Sequence, residues 1–323
     1  MNKVILNTED SKEDTSNKSS SEEKSSLDNS ILFIHSPITS FLPLKNRGLI
    51  KTYESEEKIE QLNYFSQFNI LKTFYSQKLT KDLQKRLVGI SKDVINKIII
   101  ELSGTFREVI KNKNGNYFCS NLIKVCDREQ RIIILKELSK TLSEDCNDRY
   151  GTYPIQKLFE FASTEEEFQL LLSSFNDLNI ILMASLNQYG SFVIQKLIKH
   201  IPEKLRMDFN LILVKLVCIL SRNIYGVRAI KEFIKYSKNY LIIKQILNLI
   251  SKNFVNISMN KYGNYLIQFL LEKWWDKEEG IILKNIIISK FHILSKNAFS
   301  SHICDLFIKL NNNEKKRNIN KNK

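Results

Sequence analysis

Five of the nine glycines in the chain recur in one sequence context at a nearly constant spacing. They end the strings NKNG, DRYG, NQYG, NIYG and NKYG, at Gly115, Gly151, Gly190, Gly226 and Gly263. Successive glycines lie 36, 39, 36 and 37 residues apart, and a related string, KNAFS, ends at Ser300, 37 residues after Gly263. A fixed period in this range is typical of a solenoid, in which each repeat packs against its neighbours. The period therefore overrides the two domains that a length of 323 residues would suggest.

Apolar residues follow each glycine at helical spacing. The pattern is i, i+3 and i+4, which places the three side chains on one buried face of a helix. Its copies are Ile155, Leu158 and Phe159; Ile194, Leu197 and Ile198; Ile230, Phe233 and Ile234; Ile267, Leu270 and Leu271; and Ile303, Leu306 and Phe307. With only four prolines in the chain, this pattern predicts an all-α fold. We expect a right-handed α-solenoid whose units hold two long helices and a short one.

The five residues after each glycine form a second periodic motif. They read NYFCS (116–120), TYPIQ (152–156), SFVIQ (191–195), VRAIK (227–231), NYLIQ (264–268) and SHICD (301–305). The third and fourth residues are mostly apolar, so we expect them in the core and the first, second and fifth in the open. TKDLQ (80–84) fits a divergent first copy, with Lys78 and Leu79 in place of Tyr and Gly. The sequence thus predicts about seven units of about 36 residues.

The residues expected in the open suit single-stranded RNA. The first and fifth lie side by side on a helix, because they are four residues apart, and are mostly amides or hydroxyls that can bond one base edge. The second is flat in most units and can stack on a base. A formal net charge of +14 also favours a polyanionic partner. The candidate RNA-binding residues are Thr80, Lys81, Gln84, Asn116, Tyr117, Ser120, Thr152, Tyr153, Gln156, Ser191, Phe192, Gln195, Arg228, Lys231, Asn264, Tyr265, Gln268, Ser301, His302 and Asp305.

The combined pattern NxYG-NYxIQ resembles the Pumilio (PUF) family over about residues 60–310. The resemblance implies a Pumilio-homology-type array of PUF repeats with an N-terminal cap at 46–310, which binds the 3′ untranslated region of mRNA at one base per repeat. It implies a cytoplasmic, monomeric regulator of mRNA stability or translation, with repressor or deadenylation proteins on the convex face. Two alternatives stay open: a PUF-like nucleolar assembly factor that binds ribosomal RNA, and a protein-binding α-solenoid scaffold.

The resemblance also implies a recognition code, with the RNA antiparallel and its 5′ base on the last unit. Ser301 with Asp305 implies guanine, and Asn264 with Gln268 implies uracil. The fifth unit, with Val227 and Lys231, is expected to tolerate any base while Arg228 stacks. Adenine is implied in the fourth unit by Ser191 with Gln195, and in the third by Thr152 with Gln156. The implied core is 5′-GUnAA(U)A, a GU followed by an A-rich stretch.

The remaining segments carry less chemistry. Residues 1–45 are expected to be a disordered polar segment, without a signal peptide, and 311–323 a basic polar tail. No stretch approaches the length of a membrane span, and no CxxC pair or nucleophile–base set is present. We therefore expect no cofactor, metal site or enzymatic activity. Glu165 to Glu167 is interpreted as a solvated loop, and Trp274 and Trp275 as packing or surface residues rather than stacking platforms for bases.

Overall fold

The computed structural model describes residues 60–61, 63–65 and 69–321, and within them every regular element is helical. The segment 1–45, predicted to be disordered, lies outside the described residues. In chain order the helices are α1 (Ile70–Thr73), α2 (Gln77–Arg86), α3 (Lys92–Leu102), α4 (Phe106–Lys111), α5 (Gly115–Val125), α6 (Arg128–Leu138), α7 (Leu142–Asp145), α8 (Thr152–Phe161), α9 (Glu165–Ser173), α10 (Leu178–Leu186), α11 (Gly190–His200), α12 (Arg206–Leu220), α13 (Ile224–Tyr236), α14 (Tyr240–Lys252), α15 (Phe254–Ser258), α16 (Gly263–Trp274), α17 (Glu278–Leu294) and α18 (Ser301–Lys321). A short 3₁₀ helix, Glu203–Leu205, precedes α12.

The helices that carry the five-residue strings form one continuous row. Each packs against the next, in the order α2, α5, α8, α11, α13, α16 and α18. We call this the inner row, and the remaining long helices (α3, α6, α9, α12, α14 and α17) the outer row. The arrangement confirms the predicted all-α solenoid.

A recurrent side-chain cap opens each inner helix. Three residues before the glycine position, an Asn or Asp oxygen accepts hydrogen bonds from the two N–H groups at the glycine and the residue before it. The capping residues are Asn112, Asp148, Asn187, Asn223, Asn260 and Asn297. In the divergent first unit, the hydroxyl of Ser76 accepts from the N–H of Leu79. The cap satisfies N–H groups that would otherwise lack a partner at a helix N-terminus.

The glycine itself is required by a close approach of two backbones. A Cβ added at Gly226 would lie 2.4 Å from the carbonyl oxygen of Leu220, and one at Gly263 would lie 2.2 Å from that of Ile257. The inner helix therefore starts against the end of the preceding helix, with no room for a side chain between them.

The predicted apolar stripes form the core. Ile155, Leu158 and Phe159 are fully buried, as are their counterparts in the fourth, fifth and sixth units. In the seventh unit Ile303 is buried, while Leu306 and Phe307 are partly buried against the same continuous cluster. Trp274 and Trp275 are also buried, which confirms them as packing residues.

The short third helix varies more than the sequence predicts. It is present as α4, α7, α10 and α15, with lengths of 6, 4, 9 and 5 residues. The fourth and sixth units have no separate short helix, because α12 and α17 extend over 15 and 17 residues. The last helix, α18, continues into the polar segment predicted as a tail, as far as Lys321.

The interpretation of Glu165 to Glu167 as a solvated loop is wrong, because all three form the first turn of α9; Glu165 and Glu166 are exposed, but Glu167 is buried. This carboxylate is fully buried and forms a capping box with Thr164. It also forms an ion pair with Arg131 of the preceding unit, whose Nε lies 2.7 Å from a Glu167 carboxylate oxygen. Burial raises the pKa of Glu167, but the hydrogen bonds from Arg131, Ser163 and Thr164 outweigh it and hold the pKa below its usual value.

Within the described residues, no single helix has the length and apolar character needed to span a membrane. Among the helices in the described part of the chain, α9 and α10 are the one pair that reaches that composition together, and the two are bent by 86° at their junction.

Candidate nucleic-acid interface

The second residues of the strings form an exposed row along the inner helices. Tyr117, Tyr153, Phe192 and Tyr265 expose 58%, 52%, 44% and 57% of their surface although they are aromatic. Lys81, Arg228 and His302 occupy the same register in their units and are also exposed. This confirms the predicted exposure. We call the surface that carries these residues the recognition face.

The fifth residues lie beside this row and are mostly half-buried. Gln84, Gln156, Gln195, Lys231 and Gln268 are partly exposed, Asp305 is exposed, and Ser120 is buried. A half-buried amide next to an exposed ring presents hydrogen-bonding groups at the edge of a base that stacks on the ring.

The expectation that the first residues are open is wrong. Thr80, Asn116, Thr152, Ser191, Val227 and Asn264 are all buried, and only Ser301 is half-buried. The polar members of this set donate to backbone carbonyls of the turns, Thr152 to one in the next unit, whereas Val227 is buried as an apolar side chain. Nδ2 of Asn264, for example, donates to the carbonyls of Asn260 and Lys261 at 3.1 and 2.9 Å.

The sixth unit shows how a first and a fifth residue act together. Nε2 of Gln268 donates to Oδ1 of Asn264 over 2.9 Å. The turn carbonyls hold the Asn264 amide, and this amide in turn orients Gln268, which is half-buried beside Tyr265. The buried first residue thus positions the fifth residue rather than facing open solvent.

In the third unit the fifth residue also bonds to the side chain of the first, and in the fourth it bonds to the backbone of the first. Nε2 of Gln156 donates to the Thr152 hydroxyl at 3.1 Å, and this hydroxyl donates to the carbonyl of Tyr189 in the next unit at 3.1 Å. In the fourth unit, Nε2 of Gln195 donates to the backbone carbonyl of Ser191 at 3.0 Å. In both units the glutamine is held near the N-terminus of its helix.

The second unit departs from this arrangement. Ser120 is too short to reach the Asn116 amide, and its hydroxyl donates instead to the backbone carbonyl of Asn116 at 2.8 Å. Oδ1 of Asn116 is therefore buried without a hydrogen-bond partner among the described residues. Ser120 stands where the third, fourth and sixth units have glutamine, and this difference in sequence has a direct structural counterpart.

The divergent first unit has the same local geometry as the others. Thr80 is buried, Lys81 is exposed and Gln84 is half-buried. A pocket of about 260 Å³ separates these residues from the second unit and is lined by Gln77, Thr80, Lys81, Gln84, Asn114 and Tyr117. The flat ring of Tyr117 forms one wall, so the pocket combines a stacking surface with an amide.

The fifth and seventh units carry charge in place of amides. Lys231 is half-buried, with Nζ 5.4 Å from the ring centroid of Phe269 in the sixth unit. Burial lowers the pKa of Lys231, opposed in part by Glu272. In the seventh unit, His302 and Asp305 are exposed and Ser301 donates to the carbonyl of Ala298 at 3.2 Å.

Two further features of the recognition face are not part of the five-residue motif. The first is an ion-pair cluster one turn along the helices, in which Glu160 binds both Lys157 of its own unit and Lys196 of the next. The second is the capping series of Asn and Asp residues. Both have sequence signals: the two lysines are the sixth residues after their glycines, and the caps precede the glycines by three positions.

In the described part of the chain, no group of three or more His, Cys, Asp or Glu side chains is arranged to hold a metal ion. The groups brought together on the recognition face are amides, hydroxyls, aromatic rings, cations and the Asp305 carboxylate.

Comparison with known proteins gives the same architecture. The Pumilio-family RNA binding repeat model matches residues 106–139, 146–173, 182–208 and 253–279. These ranges include the strings of the second, third, fourth and sixth units. The departures at Val227 and Lys231 fall in a unit without a match.

The similar curated proteins include Pumilio homolog 11 of Arabidopsis thaliana, which is 29% identical over 220 residues. They also include the suppressor protein MPT5 of Saccharomyces cerevisiae, which is 25% identical over 238 residues. The alignments cover 67% and 70% of this chain but only 37% and 27% of those relatives. The chain thus corresponds to well under half the length of either.

Solved structures share the fold. The Puf4 RNA binding domain bound to the HO endonuclease RNA 3′ UTR recognition sequence superposes with a TM-score of 0.68 at 20% identity, covering 72% of each chain. Yeast Puf5p bound to AAT2 RNA gives 0.66 at 23% identity, covering 75% of this chain and 69% of that one. The repeat matches, the curated relatives and the shared solenoid show together that this chain carries Pumilio-family RNA binding repeats in an α-solenoid.

Proposed function

We propose that this chain binds single-stranded RNA sequence-specifically along the recognition face, one base per unit, and regulates mRNA after transcription. The observation that carries the proposal is the repeated pairing of an exposed flat residue with a half-buried fifth residue at the same register of consecutive inner helices. Stacking on the rings supplies affinity for any base, and the fifth residues discriminate between base edges.

The family relationship supports the same function. Structural neighbours are described as bound to 3′ UTR recognition sequences, and the matched repeat model describes RNA binding. On this basis we propose a 3′ untranslated region as the target, with the core 5′-GUnAA(U)A read from the seventh unit to the first. The chain acts as a binding protein rather than as an enzyme.

The proposal includes three properties of the protein in the cell. We propose that it acts in the cytoplasm as a monomer, and that repressor or deadenylation proteins contact the convex face formed by the outer row. Imaging of the tagged chain tests the location, since a nucleolar signal would favour the ribosomal RNA role instead. Analytical ultracentrifugation with and without RNA measures the molecular mass in solution and so tests whether the chain is a monomer.

An unbiased selection from a random single-stranded RNA library tests the function directly. We expect enrichment of GU followed by an A-rich stretch, with affinity that falls as salt is raised because phosphate contacts release counterions. A protein-binding scaffold would enrich no motif and show no salt-dependent RNA binding, and that result would overturn the proposal. A duplex of the selected sequence is the control, because its bases are not available for stacking.

A further inference from the structure

Lys231 replaces a neutral side chain at the fifth position of the fifth unit. The corresponding residues of the first, third, fourth and sixth units are glutamines. An amide has both a donor and an acceptor, so it can turn to suit several base edges, whereas an ammonium group has three donors and no acceptor. The fifth unit therefore has a restricted hydrogen-bonding capacity at the point where the other units have an adaptable one.

The ammonium group of Lys231 is held in the gap between two inner helices. Its Nζ lies 5.4 Å from the ring centroid of Phe269 on α16, while Lys231 itself belongs to α13. The side chain is half-buried, and the exposed second residues of the two units, Arg228 and Tyr265, belong to the helices that border this gap. The cation thus faces the place where a base stacked in this unit would present its edge.

Within the part of the chain that the structure describes, Lys231 differs from Lys157, Lys196 and Lys235 in having no carboxylate partner. Among the described residues it forms no ion pair within 4 Å, whereas Lys157 and Lys196 both pair with Glu160, and Lys235 pairs with Glu232 at 3.8 Å. Glu272 lies close enough to oppose the lowering of the Lys231 pKa by burial, but not to form a salt bridge. A half-buried cation without a partner retains donors for an incoming acceptor.

The first residue of this unit offers no competing polar group. Val227 is buried and apolar, where other units have Asn, Ser or Thr. Lys231 is therefore the polar group of the fifth unit that can meet a base edge while Arg228 stacks. Uracil and guanine present a carbonyl oxygen, which can accept a hydrogen bond from an ammonium group. Adenine and cytosine present an amino group at the same position, and an ammonium group repels this second donor.

We infer that Lys231 makes the fifth unit selective for keto bases, uracil or guanine, over the amino bases adenine and cytosine. This inference rests on the proposed RNA-binding function and replaces the expectation that the unit tolerates any base. It gives the core 5′-GU(U/G)AA(U)A. The selectivity belongs to this chain through the replacement of an amide by a lysine.

Four synthetic RNAs that differ only at n in 5′-GUnAAUA test the inference on the full chain by fluorescence anisotropy. We expect n = U and n = G to bind roughly tenfold more tightly than n = A or n = C, the effect of one charge-assisted hydrogen bond. Lys231→Gln should bring the four affinities within about twofold of one another. Lys231→Met should also remove the preference, and should weaken the U and G complexes. Lys235→Gln is the matched control, one turn further along α13, and should keep the preference.

The outcomes separate this inference from the function on which it depends. Equal binding of all four RNAs by the unmodified chain would overturn the keto selectivity and leave RNA binding intact. A preference that survives in Lys231→Met would overturn the role of Lys231. If the unmodified chain shows no preference and Lys231→Met weakens binding to all four RNAs equally, Lys231 contacts a phosphate and the inference is also overturned. Failure of all four RNAs to bind would overturn the proposed function and this inference together.

Discussion

Gln268 donates a hydrogen bond from Nε2 to Oδ1 of Asn264 over 2.9 Å, whereas in the second unit the same acceptor on Asn116 has no partner among the described residues. The difference arises because Ser120 stands where the sixth unit has Gln268. A buried acceptor without a partner costs stability, and a glutamine at this position is long enough to satisfy it.

The first prediction concerns Ser120→Gln. We expect the substitution to increase the free energy of unfolding by about 1 kcal/mol, because it supplies the missing hydrogen bond. It should also strengthen binding to RNA with uracil at the second-unit position relative to adenine, since the unit would then match the sixth. Urea unfolding and RNA titrations measure the two effects. No change in either quantity would contradict the prediction.

Tyr265→Ala provides a second prediction. Loss of the stacking surface should weaken binding to the core RNA by about 1–3 kcal/mol, with little change in stability because the ring is 57% exposed. Tyr240→Ala is the matched control, because Tyr240 is 58% exposed but begins the outer helix α14. Isothermal titration of both variants measures the difference. Equal affinities would exclude Tyr265 from the interface.

The buried pair of Arg131 and Glu167 predicts a response to acid. The pKa of Glu167 in the folded chain lies below its ordinary value of 4.5, so the carboxylate contributes stability at neutral pH. That contribution is lost as the pH falls from about the unfolded pKa through the lowered folded pKa, because the folded state then binds the proton less readily than the unfolded state.

Glu167→Ala should therefore destabilise the chain by about 3–5 kcal/mol at pH 7, since it leaves the Arg131 cation buried without its partner. Below about pH 4.5 the free energy of unfolding of the variant should also fall less steeply with decreasing pH than that of the unmodified chain. Denaturant unfolding at a series of pH values measures both. Glu129→Ala is the control, because that carboxylate is exposed and its pair with Lys92 lies at the surface. An equal loss in the two variants would argue against the buried pair.

Glu160→Gln provides a fourth prediction, on the electrostatics of the recognition face. The substitution removes the carboxylate that binds Lys157 and Lys196 and so frees two cations next to the fifth residues. We expect tighter RNA binding and a steeper dependence of log K on log salt, by about 0.7 for each phosphate that a freed lysine contacts. Titrations at several salt concentrations give the slope. An unchanged slope would show that the lysines lie outside the path of the RNA backbone.

The sequence predicts the solenoid and the exposed row because both follow from periodicity. The spacing of Gly115, Gly151 and their counterparts sets the unit, and the stripe exemplified by Ile155, Leu158 and Phe159 sets the buried face. The second residue then lies on the opposite side of the helix. Tyr153 could therefore be expected in the open from its position two residues before the buried Ile155, on the other side of the helix, without any knowledge of its contacts.

The burial of the first residues could not be predicted in the same way. Helical periodicity places Asn264 beside Gln268, but it does not reveal that the carbonyls of Asn260 and Lys261 turn towards the Asn264 amide. The environment of Glu167 was missed for another reason. Three adjacent glutamates suggest a solvated segment, and its partner Arg131 lies 36 residues earlier. That separation is one full period, so a search for opposite charges one period apart would have found the pair.

The Asn and Asp caps have a consequence for how the array tolerates changes in length. The position of each recognition-face residue on its helix is set by the capped turn of its own unit, not by the length of the previous unit. The third unit is the longest, at 39 residues from Gly151 to Gly190, and its short helix α10 has nine residues where α7 has four. The added length lies before Asn187. The capped turn at Asn187 then begins a new helix, on which Ser191, Phe192 and Gln195 occupy the same positions as their counterparts in the other units. A change of length before a cap therefore does not shift the register of the recognition-face residues that follow it.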